Sequence, residues 1–591
     1  MSRSRVVYQN GIPALDIEGR TVPTLAYMTY FEERNDYAAV AGEGVELFTV
    51  SLSIGNQALN TTTGCIPQTG GIFSEKGKPN FEIADRSIRQ IVEACPNACI
   101  FPRVFLCMPQ WWIDENPTEV TDVAYGKRRE ALYSRKYRED AARMLTELIE
   151  HFRQSPFADN IVGYHVAGGN TEEWFHCDLR GSYCENALPY FNEYRAARAQ
   201  APVSALPDLD GYENSVLVSD PILQEYLRFA SECVADTVEY ICQAAKRAVN
   251  HEQVIGIFYG YCWGIPHALW GSHALEKLLD SSHIDFISSP CAYWDNRQPG
   301  RDWPEQFPVD SVKLHGKMCF IEADIRTNRS IYPGQARAGF DPDHKYDVPV
   351  FLGPSTEKVS AAVMRKTVAQ QLTKGHGMWW FDMFGHWYNV PTLMREIRLS
   401  KKLYSQPRKG YDYMAQVALF VDERMYALLG MKHPFRRLGN SMYDVLGKVG
   451  APIHYYLLSD VTRLDWSCGA YRAAMIMAPE QTEAVGQAVR LLTEQGVAVQ
   501  CITQAQTVTQ MREFLRGAGV FILCESDDVV YIGNGYLGLH TATAGEKVIC
   551  LPERLCCEDM ADGQTVCTER LTLACEALET RLFHIKKDTL D

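Results

Sequence analysis

The sequence predicts an α/β protein that begins with a (β/α)8 barrel, followed by a smaller α/β domain and a small β domain. Two observations predict the barrel. Short, nearly continuous apolar runs recur along residues 20–385, and helical patterns separate them. Parallel strands need such runs because both of their faces are covered. A doubly wound open sheet has the same alternation and stays an alternative, since a sequence cannot show whether a sheet closes.

Eight apolar runs are the predicted barrel strands. They begin at Val22, Leu47, Cys99, Ile161, Val254, Ile284, Met318 and Gly377. Three of the segments between them show helical patterns, at residues 137–152, 220–249 and 355–374. Pro221 is tolerated in the first turn of the second helix, and Ser355 or Thr356 is expected to cap the third.

The chain changes character after the barrel. Periodicity stops around Pro407 and Gly410, so we predict that the barrel occupies residues 1–410. Residues 411–525 alternate short apolar strands with helical runs and predict a flavodoxin-like domain. It has no glycine-rich phosphate turn, so we expect it to mediate interactions. Residues 526–591 alternate in strand fashion with glycine-rich turns and predict a small β-sandwich-like domain.

Composition excludes several classes of function. The net charge is -15 and no basic stretch compensates it, which argues against nucleic-acid binding. No apolar run approaches the ~20 residues that span a bilayer, and no secretory signal is visible at the start. We therefore expect a cytoplasmic protein with no nucleic-acid or membrane partner.

The cysteines also favour a cytoplasmic location. The 19 cysteines are odd in number and scattered through apolar runs, which favours buried free thiols in a reducing compartment over a disulfide framework. Cys177 with Cys184, or Cys95 with Cys99, could join a metal site, but unligated thiols are the favoured interpretation. We predict neither a metal nor a cofactor.

Acidic residues follow two of the predicted strands at the end where barrels carry their chemistry. The fourth run leads into "GGNTEEW", which contains Glu172 and Glu173, and the seventh ends at Glu322. A glutamate that ends a buried strand is unfavourable unless it is paired or functional. Strands four and seven face each other across a barrel, so their carboxyl groups can flank one bond. Glycoside hydrolysis needs such a pair, one group to attack and one to protonate.

Aromatic residues gather at the same strand ends. Flat rings beside acids suit a sugar, although simple loop packing is about equally expected for any one ring. The rings are those of Trp111, Trp112, Trp174, Trp263, Tyr293, Trp294, Trp379, Trp380, Trp387 and Tyr388. Other chemistries fit less well. The sequence has no H-x-H or H-E-x-x-H motif, which a zinc site would favour, and it has no phosphate-binding loop. Lys317 begins its strand, whereas a lysine that forms a Schiff base would be expected at the end of one.

The motifs "RVFLCMPQWW", "GGNTEEW", "SPCAYWDNRQPG", "FIEADIRT" and "MWWFDMF" resemble those of the retaining β-glycosidase clan that has two catalytic glutamates. Within it, the chain most resembles glycoside hydrolase family 42 β-galactosidases and related families such as family 164. The resemblance implies an acid/base after strand four and a nucleophile after strand seven, here Glu322. The region with "ALFVDERMYALL" resembles the β-galactosidase trimerisation domain, which implies a homotrimer.

One departure from the clan affects the acid/base. An asparagine usually stands directly before that glutamate, whereas Thr171 and Glu172 here separate Asn170 from Glu173. We assign Glu173, because the adjacent Trp174 would desolvate it and raise its pKa. Glu172 stays a competing candidate, and the same departure separates Asn170 from the position at which the clan's asparagine contacts the sugar 2-hydroxyl.

Supporting roles also follow from the resemblance. Arg103 resembles the arginine near the nucleophile, with an internal salt bridge as the alternative. Tyr293 resembles the tyrosine that hydrogen-bonds the nucleophile, and either Trp379 or Trp380 is expected under the sugar while the other faces a helix. For Asp324, an ion pair with Arg326 is the alternative to sugar binding. The residues that we assign to substrate binding are Arg103, Trp112, Asn170, Glu172, Trp174, Tyr293, Asp324 and Trp380.

The predicted activity is that of a retaining exo-β-glycosidase acting on oligosaccharides or small glycosides. A β-galactoside is the favoured substrate and a β-mannoside the nearest alternative. A non-catalytic carbohydrate-binding protein would keep the tryptophans but would not need two opposed glutamates. Retention predicts carboxyl groups ~5–5.5 Å apart, whereas inversion predicts ~6.5–9.5 Å.

Overall fold

The computed structural model describes residues 2–588, apart from residues 69, 125–126, 182, 184–185, 265 and 294–296 and the side chain of residue 440. Two candidates from the sequence, Trp294 and Cys184, lie outside the described residues.

Parallel strands form a closed barrel in the part of the chain that the structure describes. The last strand pairs with the first, Trp379 opposite Ala26, and the second pairs with the third, Leu47 opposite Cys99. This closure excludes the open-sheet alternative and confirms the predicted barrel. The barrel strands in order are Leu25–Met28, Leu47–Phe48 with Ser51–Ser53, Cys99–Ile100 with Arg103–Phe105, Gly163–Ala167, Val254–Ile257, Phe286–Pro290, Met318–Ala323 and Gly377–Phe381.

Helices surround these strands. The three predicted helices are confirmed at Arg135–Gln154, Pro221–Ala248 and Glu357–Lys374. Pro221 occupies the first turn, and the Thr356 hydroxyl accepts from the Val359 N–H as an N-cap. The other helices described before residue 411 are Tyr37–Gly42, Glu82–Ala94, Gln110–Glu115, Ala187–Ala196, Asp210–Glu213, Leu275–Leu279, Val309–Leu314, Pro333–Ala336 and Pro391–Ser405.

Side chains alternate between the barrel interior and the helices. Phe320 and Trp379 belong to the inner core, whereas Ile321 and Trp380 belong to the outer one. An antiparallel sheet that the sequence analysis did not foresee adds Leu15, Ile17 and Val22 to the inner core. Its strands are Ser4–Gln9, Ile12–Ile17 and Arg20–Pro23, and a further hairpin joins Val120–Val123 to Lys127–Glu130. The interior is therefore packed, as barrel interiors are.

The second domain has the flavodoxin-like sheet that its sequence predicts. Its parallel strands are ordered second, first, third, fourth, which is the doubly wound pattern. The strands are Val417–Val421, Ile453–Leu457, Ala473–Met477 and Ala498–Ile502, and the helices are Phe435–Gly447, Glu483–Glu494 and Val508–Gly517. Glu423 joins this domain to the barrel, because its carboxylate accepts from the Leu275 and Glu276 N–H groups at 2.8 and 2.9 Å.

The last part of the chain is an antiparallel sheet. Its strands are Val529–Gly533, Tyr536–His540, Gly545–Asp559, Thr565–Cys575 and Thr580–Lys587. Cys556 stands opposite Cys567 in the strand register, and a disulfide joins them. The expectation of free thiols is therefore wrong for this pair, whereas the other described cysteines are free. Among the described residues, no helix is both long and apolar enough to cross a membrane.

Candidate active site

Glu322 lies at the end of the seventh barrel strand, Met318–Ala323, and its side chain is buried. The strand pairs on both sides, with Glu322 opposite Pro290 on one neighbour and Trp379 on the other. Since Phe320, two residues earlier, belongs to the inner core, the alternation of a strand directs Glu322 inward as well. Regular backbone therefore fixes this carboxyl group.

Arg103 links Glu322 to a second carboxylate. It lies on the third strand, and its guanidinium Nη2 donates to Glu322 Oε2 at 2.9 Å while Nη1 donates to Glu172 Oε2 at 3.1 Å. The centre of the guanidinium is 4.7 Å from the Phe258 ring and 5.3 Å from the Trp379 ring. One buried cation thus bridges two buried anions and is held between aromatic faces.

Residues 168–175, which follow the fourth strand, fold back on themselves. Bridges join Gly168 to Glu173 and Asn170 to Phe175. Thr171, Glu172 and Trp174 have φ angles of 57°, 69° and 59° in the left-handed region, which is strained for a β-branched or bulky residue. A side chain on Gly168 would come within 2.7 Å of the Trp174 ring. This backbone places the two adjacent glutamates in different environments.

Glu172 is the deeper of the two and has no exposed surface. Besides Arg103, the Tyr30 hydroxyl donates to its Oε2 at 2.8 Å, and the Ser51 hydroxyl and the Gln68 amide at 3.4 Å donate to its Oε1. Arginine and amide nitrogens can only donate, so this arrangement suits a carboxylate anion that accepts from all sides. These contacts suit a group that accepts hydrogen bonds at both oxygens, and the choice of Glu173 over Glu172 as the acid/base stays a prediction.

Glu173 is half-buried and has only hydroxyl partners among the described residues. The Thr171 hydroxyl lies 2.5 Å from Oε2, and the Tyr261 hydroxyl bonds Oε1. Burial raises the pKa of Glu173 to about 8, and the charge of Glu322 acts in the same direction. A hydroxyl can accept as well as donate, so both protonation states of Glu173 can be accommodated. A carboxyl with this pKa carries a proton at neutral pH, as a general acid must.

The pKa of Glu322 is also raised, chiefly by burial. The charge and hydrogen bond of Arg103 oppose that shift, whereas the charge of Glu172 adds to it. Glu322 is therefore the carboxyl that a cation keeps available as an anion, and Glu173 is the one without such a partner in the described contacts.

Three predicted tryptophan contacts with substrate are wrong, because the indoles point into the outer layer. Trp112 donates to Asp140 at 2.7 Å, Trp174 to the Val166 carbonyl at 3.2 Å, and Trp380 to Ser400 at 3.4 Å. All three are buried in the core between strands and helices. Packing, the alternative considered for each ring, explains them.

Trp379 is the member of the tryptophan pair that faces the interior, against Arg103. Most of the other rim aromatics also serve packing. Trp111 donates to the Phe73 carbonyl and Trp263 to the Glu305 carbonyl, each at 2.9 Å, and Tyr388 donates to the Ile325 carbonyl at the same distance.

Tyr293, Asp324 and Asn170 lie near the site with defined partners. The Arg297 guanidinium is 4.0 Å from the centre of the Tyr293 ring, and burial together with the charges of Glu173 and Glu322 raises the pKa of Tyr293 to about 12. Asp324 pairs with Arg297 at 2.9 Å and with Arg326. Asn170 Oδ1 accepts from the backbone N–H and hydroxyl of Thr61 at 2.8 and 3.0 Å. Their assignment to substrate binding stays a prediction.

Several residues of the site were missed from the sequence. Tyr30 and Tyr261 follow the first and fifth strands, so the same strand-end argument that selected Glu322 could have found them. Ser51 and Gln68 lie in or after the second strand and carry no pattern that distinguishes them. Among the described residues, the side chains grouped closely enough to share a metal ion are Cys556, Cys567 and Asp588, and the disulfide uses two of them.

Proteins of similar fold are found among solved structures, although not by sequence. No protein-family profile matches the chain, and no curated protein sequence matches it. Solved β-galactosidase structures are similar. That from Bacillus circulans sp. alkalophilus has a TM-score of 0.63 at 13% identity and covers 96% of this chain and 99% of its own. That from Rahnella sp. R3 has a TM-score of 0.60 at 12% identity, with 95% and 98% covered. The chain shares their fold over nearly its whole length, and membership of family 42 or family 164 stays a prediction.

Proposed function

We propose that this protein is a retaining exo-β-glycosidase that removes terminal non-reducing sugars from β-glycosides. The observation that carries the proposal is the pair of unlike carboxyl groups at the barrel mouth. Glu322 bonds to the Arg103 cation at 2.9 Å, and half-buried Glu173 has a pKa raised to about 8. Glycoside hydrolysis with retention uses one anionic and one protonated carboxyl group, and the two environments match those roles.

In the first step, a Glu322 oxygen attacks the anomeric carbon of the bound sugar. The bond from that carbon to the leaving-group oxygen breaks, and Glu173 gives its proton to that oxygen. The products of this step are a free alcohol and a sugar esterified to Glu322, with Glu173 now ionised.

In the second step, a water molecule replaces the alcohol. Glu173 takes one proton from the water, whose oxygen attacks the anomeric carbon, and the ester bond to Glu322 breaks. The sugar leaves with its original anomeric configuration, and both carboxyl groups return to their starting states. The net reaction is glycoside plus water to sugar plus alcohol.

The proton states predict a bell-shaped dependence of kcat/KM on pH. Activity rises as Glu322 loses its proton, at a pH above the ordinary range of a glutamate because its pKa is raised. Activity falls as Glu173 loses its proton, with a midpoint near pH 8.

A β-galactoside is the proposed substrate, supported by the fold shared with β-galactosidases and by the sequence resemblance. The test is turnover of a panel of nitrophenyl β-glycosides that includes the galactoside and the mannoside. Preferred hydrolysis of the galactoside supports the proposal, and preferred hydrolysis of the mannoside would replace that sugar. Binding of a sugar with no hydrolysis of any β-glycoside would instead favour a non-catalytic carbohydrate-binding protein.

We also propose that the enzyme is a cytoplasmic homotrimer that assembles through residues 411–525. The support is the resemblance of this segment to the trimerisation domain of β-galactosidases. Sedimentation at micromolar concentration should give a species of three times the 66.8 kDa chain. A monomer would remove the assembly proposal and leave the proposed chemistry unaffected.

A further inference from the structure

Glu172 is a carboxylate that neither step of the proposed reaction uses. It has no exposed surface, yet four donors converge on its two oxygens, one each from Arg103, Tyr30, Ser51 and Gln68 and from no other described side chain. Burying an unused charge is costly, and strained φ angles at Thr171 and Glu172 are needed to direct it inward. We therefore expect Glu172 to have a function that accounts for its burial in the barrel mouth.

Arg103 shows what that role is. Each terminal nitrogen of its guanidinium serves a different carboxylate, Nη1 serving Glu172 and Nη2 serving Glu322. Glu322 therefore receives one hydrogen bond from Arg103 instead of the two of a bidentate pair. The remaining nitrogen, Nε, has no hydrogen-bond partner among the described residues.

We propose that Glu172 is a positioning residue that divides the Arg103 cation between two carboxylates, so that Glu322 is only partly neutralised and stays reactive as a nucleophile. The proposal rests on the proposed function, because it assigns Glu322 the attack on the sugar. A nucleophile clamped in a bidentate ion pair would be a weaker base and a poorer attacking group. The guanidinium lies between the Phe258 and Trp379 rings, and Glu172 bonds the terminal nitrogen that a bidentate pair with Glu322 would use.

Other charged groups also influence Glu322, so the effect of Glu172 has to be separated from theirs. Among the described residues, the groups that interact electrostatically with Glu322 include Tyr30 after the first strand, Arg103 on the third, Glu172 and Glu173 after the fourth, Tyr261 after the fifth, Tyr293 and Arg297 after the sixth, and Arg326 after the seventh. Only a change confined to the charge of Glu172 tests its role.

The test is the pH dependence of kcat/KM for Glu172→Gln, with a nitrophenyl glycoside that the wild type hydrolyses. Removing the anion takes away a charge that raises the pKa of Glu322 and leaves Arg103 to Glu322 alone. The acidic limb should therefore move to lower pH while the basic limb stays in place. Glu172→Ala removes the same charge without introducing an amide, so its acidic limb should move in the same direction. This second variant keeps the test available if the glutamine variant does not fold.

Two controls separate charge from packing. Ser51→Ala removes a hydrogen bond to Glu172 but keeps its charge, so its acidic limb should stay where that of the wild type lies. Glu130→Gln removes another fully buried glutamate that is paired with a buried arginine, Arg129 at 2.6 Å, outside the proposed machinery. Its acidic limb should not move either.

Three outcomes would overturn the proposal. An unmoved acidic limb in both Glu172 variants shows that the charge of Glu172 does not reach Glu322. Loss of the basic limb, with turnover restored by azide, makes Glu172 the acid/base and displaces Glu173. A wild-type protein that hydrolyses no glycoside of the panel ends the proposed function itself, whereas hydrolysis with an unmoved limb ends only the role of Glu172.

Discussion

The seventh strand and residues 168–175 bring glutamates to the same end of the barrel by different means. Glu322 belongs to a regular strand that pairs on both sides, so its position follows from the sheet. Glu172 and Glu173 belong to a fold-back with left-handed residues. In a strand, only every second side chain faces the barrel interior, whereas a strained turn can direct two adjacent side chains into different parts of the same site.

The difference matches the proposed work of each group. A nucleophile needs a fixed position and a stabilised anion, which a strand end beside a buried arginine provides. An acid/base has to exchange its proton with the leaving group and with water. Half-buried Glu173, bonded to hydroxyls instead of a cation, can do so. Residues that are adjacent in the chain therefore have different partners here, since Glu172 shares Arg103 with Glu322 whereas Glu173 bonds to hydroxyls.

The largest expected effect is the loss of activity when Glu322 is replaced. Glu322→Gln keeps the size of the side chain but removes the attacking anion, so no glycosyl ester can form. We expect kcat to fall on the order of 10³-fold or more, even with an activated nitrophenyl leaving group. Steady-state assays measure the loss, and proton NMR of the first product anomer formed by the wild type checks retention. An inverted first anomer would contradict both the nucleophile and the retaining mechanism.

Glu173→Gln should have an effect that depends on the leaving group. A poor leaving group needs the proton, so its hydrolysis should fall by about 10²–10⁴-fold, whereas an activated aryl glycoside should still react quickly in the first step. The basic limb of the pH profile should vanish, because the group that causes it is gone. Burst kinetics with a nitrophenyl glycoside, compared with an alkyl glycoside, measures the difference. Equal losses on both substrates would show that Glu173 is not the general acid.

Arg103→Met tests the bridge that joins the two regions. Removing the cation leaves Glu172 and Glu322 buried without their shared partner, and the unfolding free energy should fall by about 3–5 kcal/mol. Chemical denaturation at neutral pH measures it. Arg143→Met is the matched control, since that arginine pairs with Glu147 on the surface, with the two side chains 52% and 42% exposed, and should cost about 1 kcal/mol or less. Similar losses in both variants would contradict a buried bridge.

The last expected effect concerns how the stability of the protein depends on pH through Glu173. Its folded pKa, about 8, lies above that of an unfolded glutamate. The unfolded chain therefore ionises first as pH rises, and the folded protein loses stability between the two pKa values. Glu173→Gln removes this loss, so relative to the wild type the variant should be more stable at pH 8 than at pH 5. Thermal unfolding across that range measures the trend. A difference that does not change with pH would show that Glu173 has an ordinary pKa.

Local patterns in the sequence were sufficient for much of the fold. Apolar runs located every barrel strand, Pro221 fitted the first turn of one helix, and Thr356 was one of the two residues expected to cap another. These features depend on residues close in the chain, so a sequence displays them. Glu322 could be selected for the same reason, because a carboxylate at the end of an apolar run is visible without knowing its partner.

Only the tertiary structure decided which of several adjacent residues meets the site. Strand alternation predicts that one of Trp379 and Trp380 faces inward, but the pairing with the neighbouring strands determines that it is Trp379. Glu172 has four side-chain partners, and they come from separate parts of the chain: Tyr30, Ser51, Gln68 and Arg103. The closure of the barrel and the register opposing Cys556 and Cys567 are likewise long-range. Burial and charge depend on such distant contacts, which no local pattern in the sequence records.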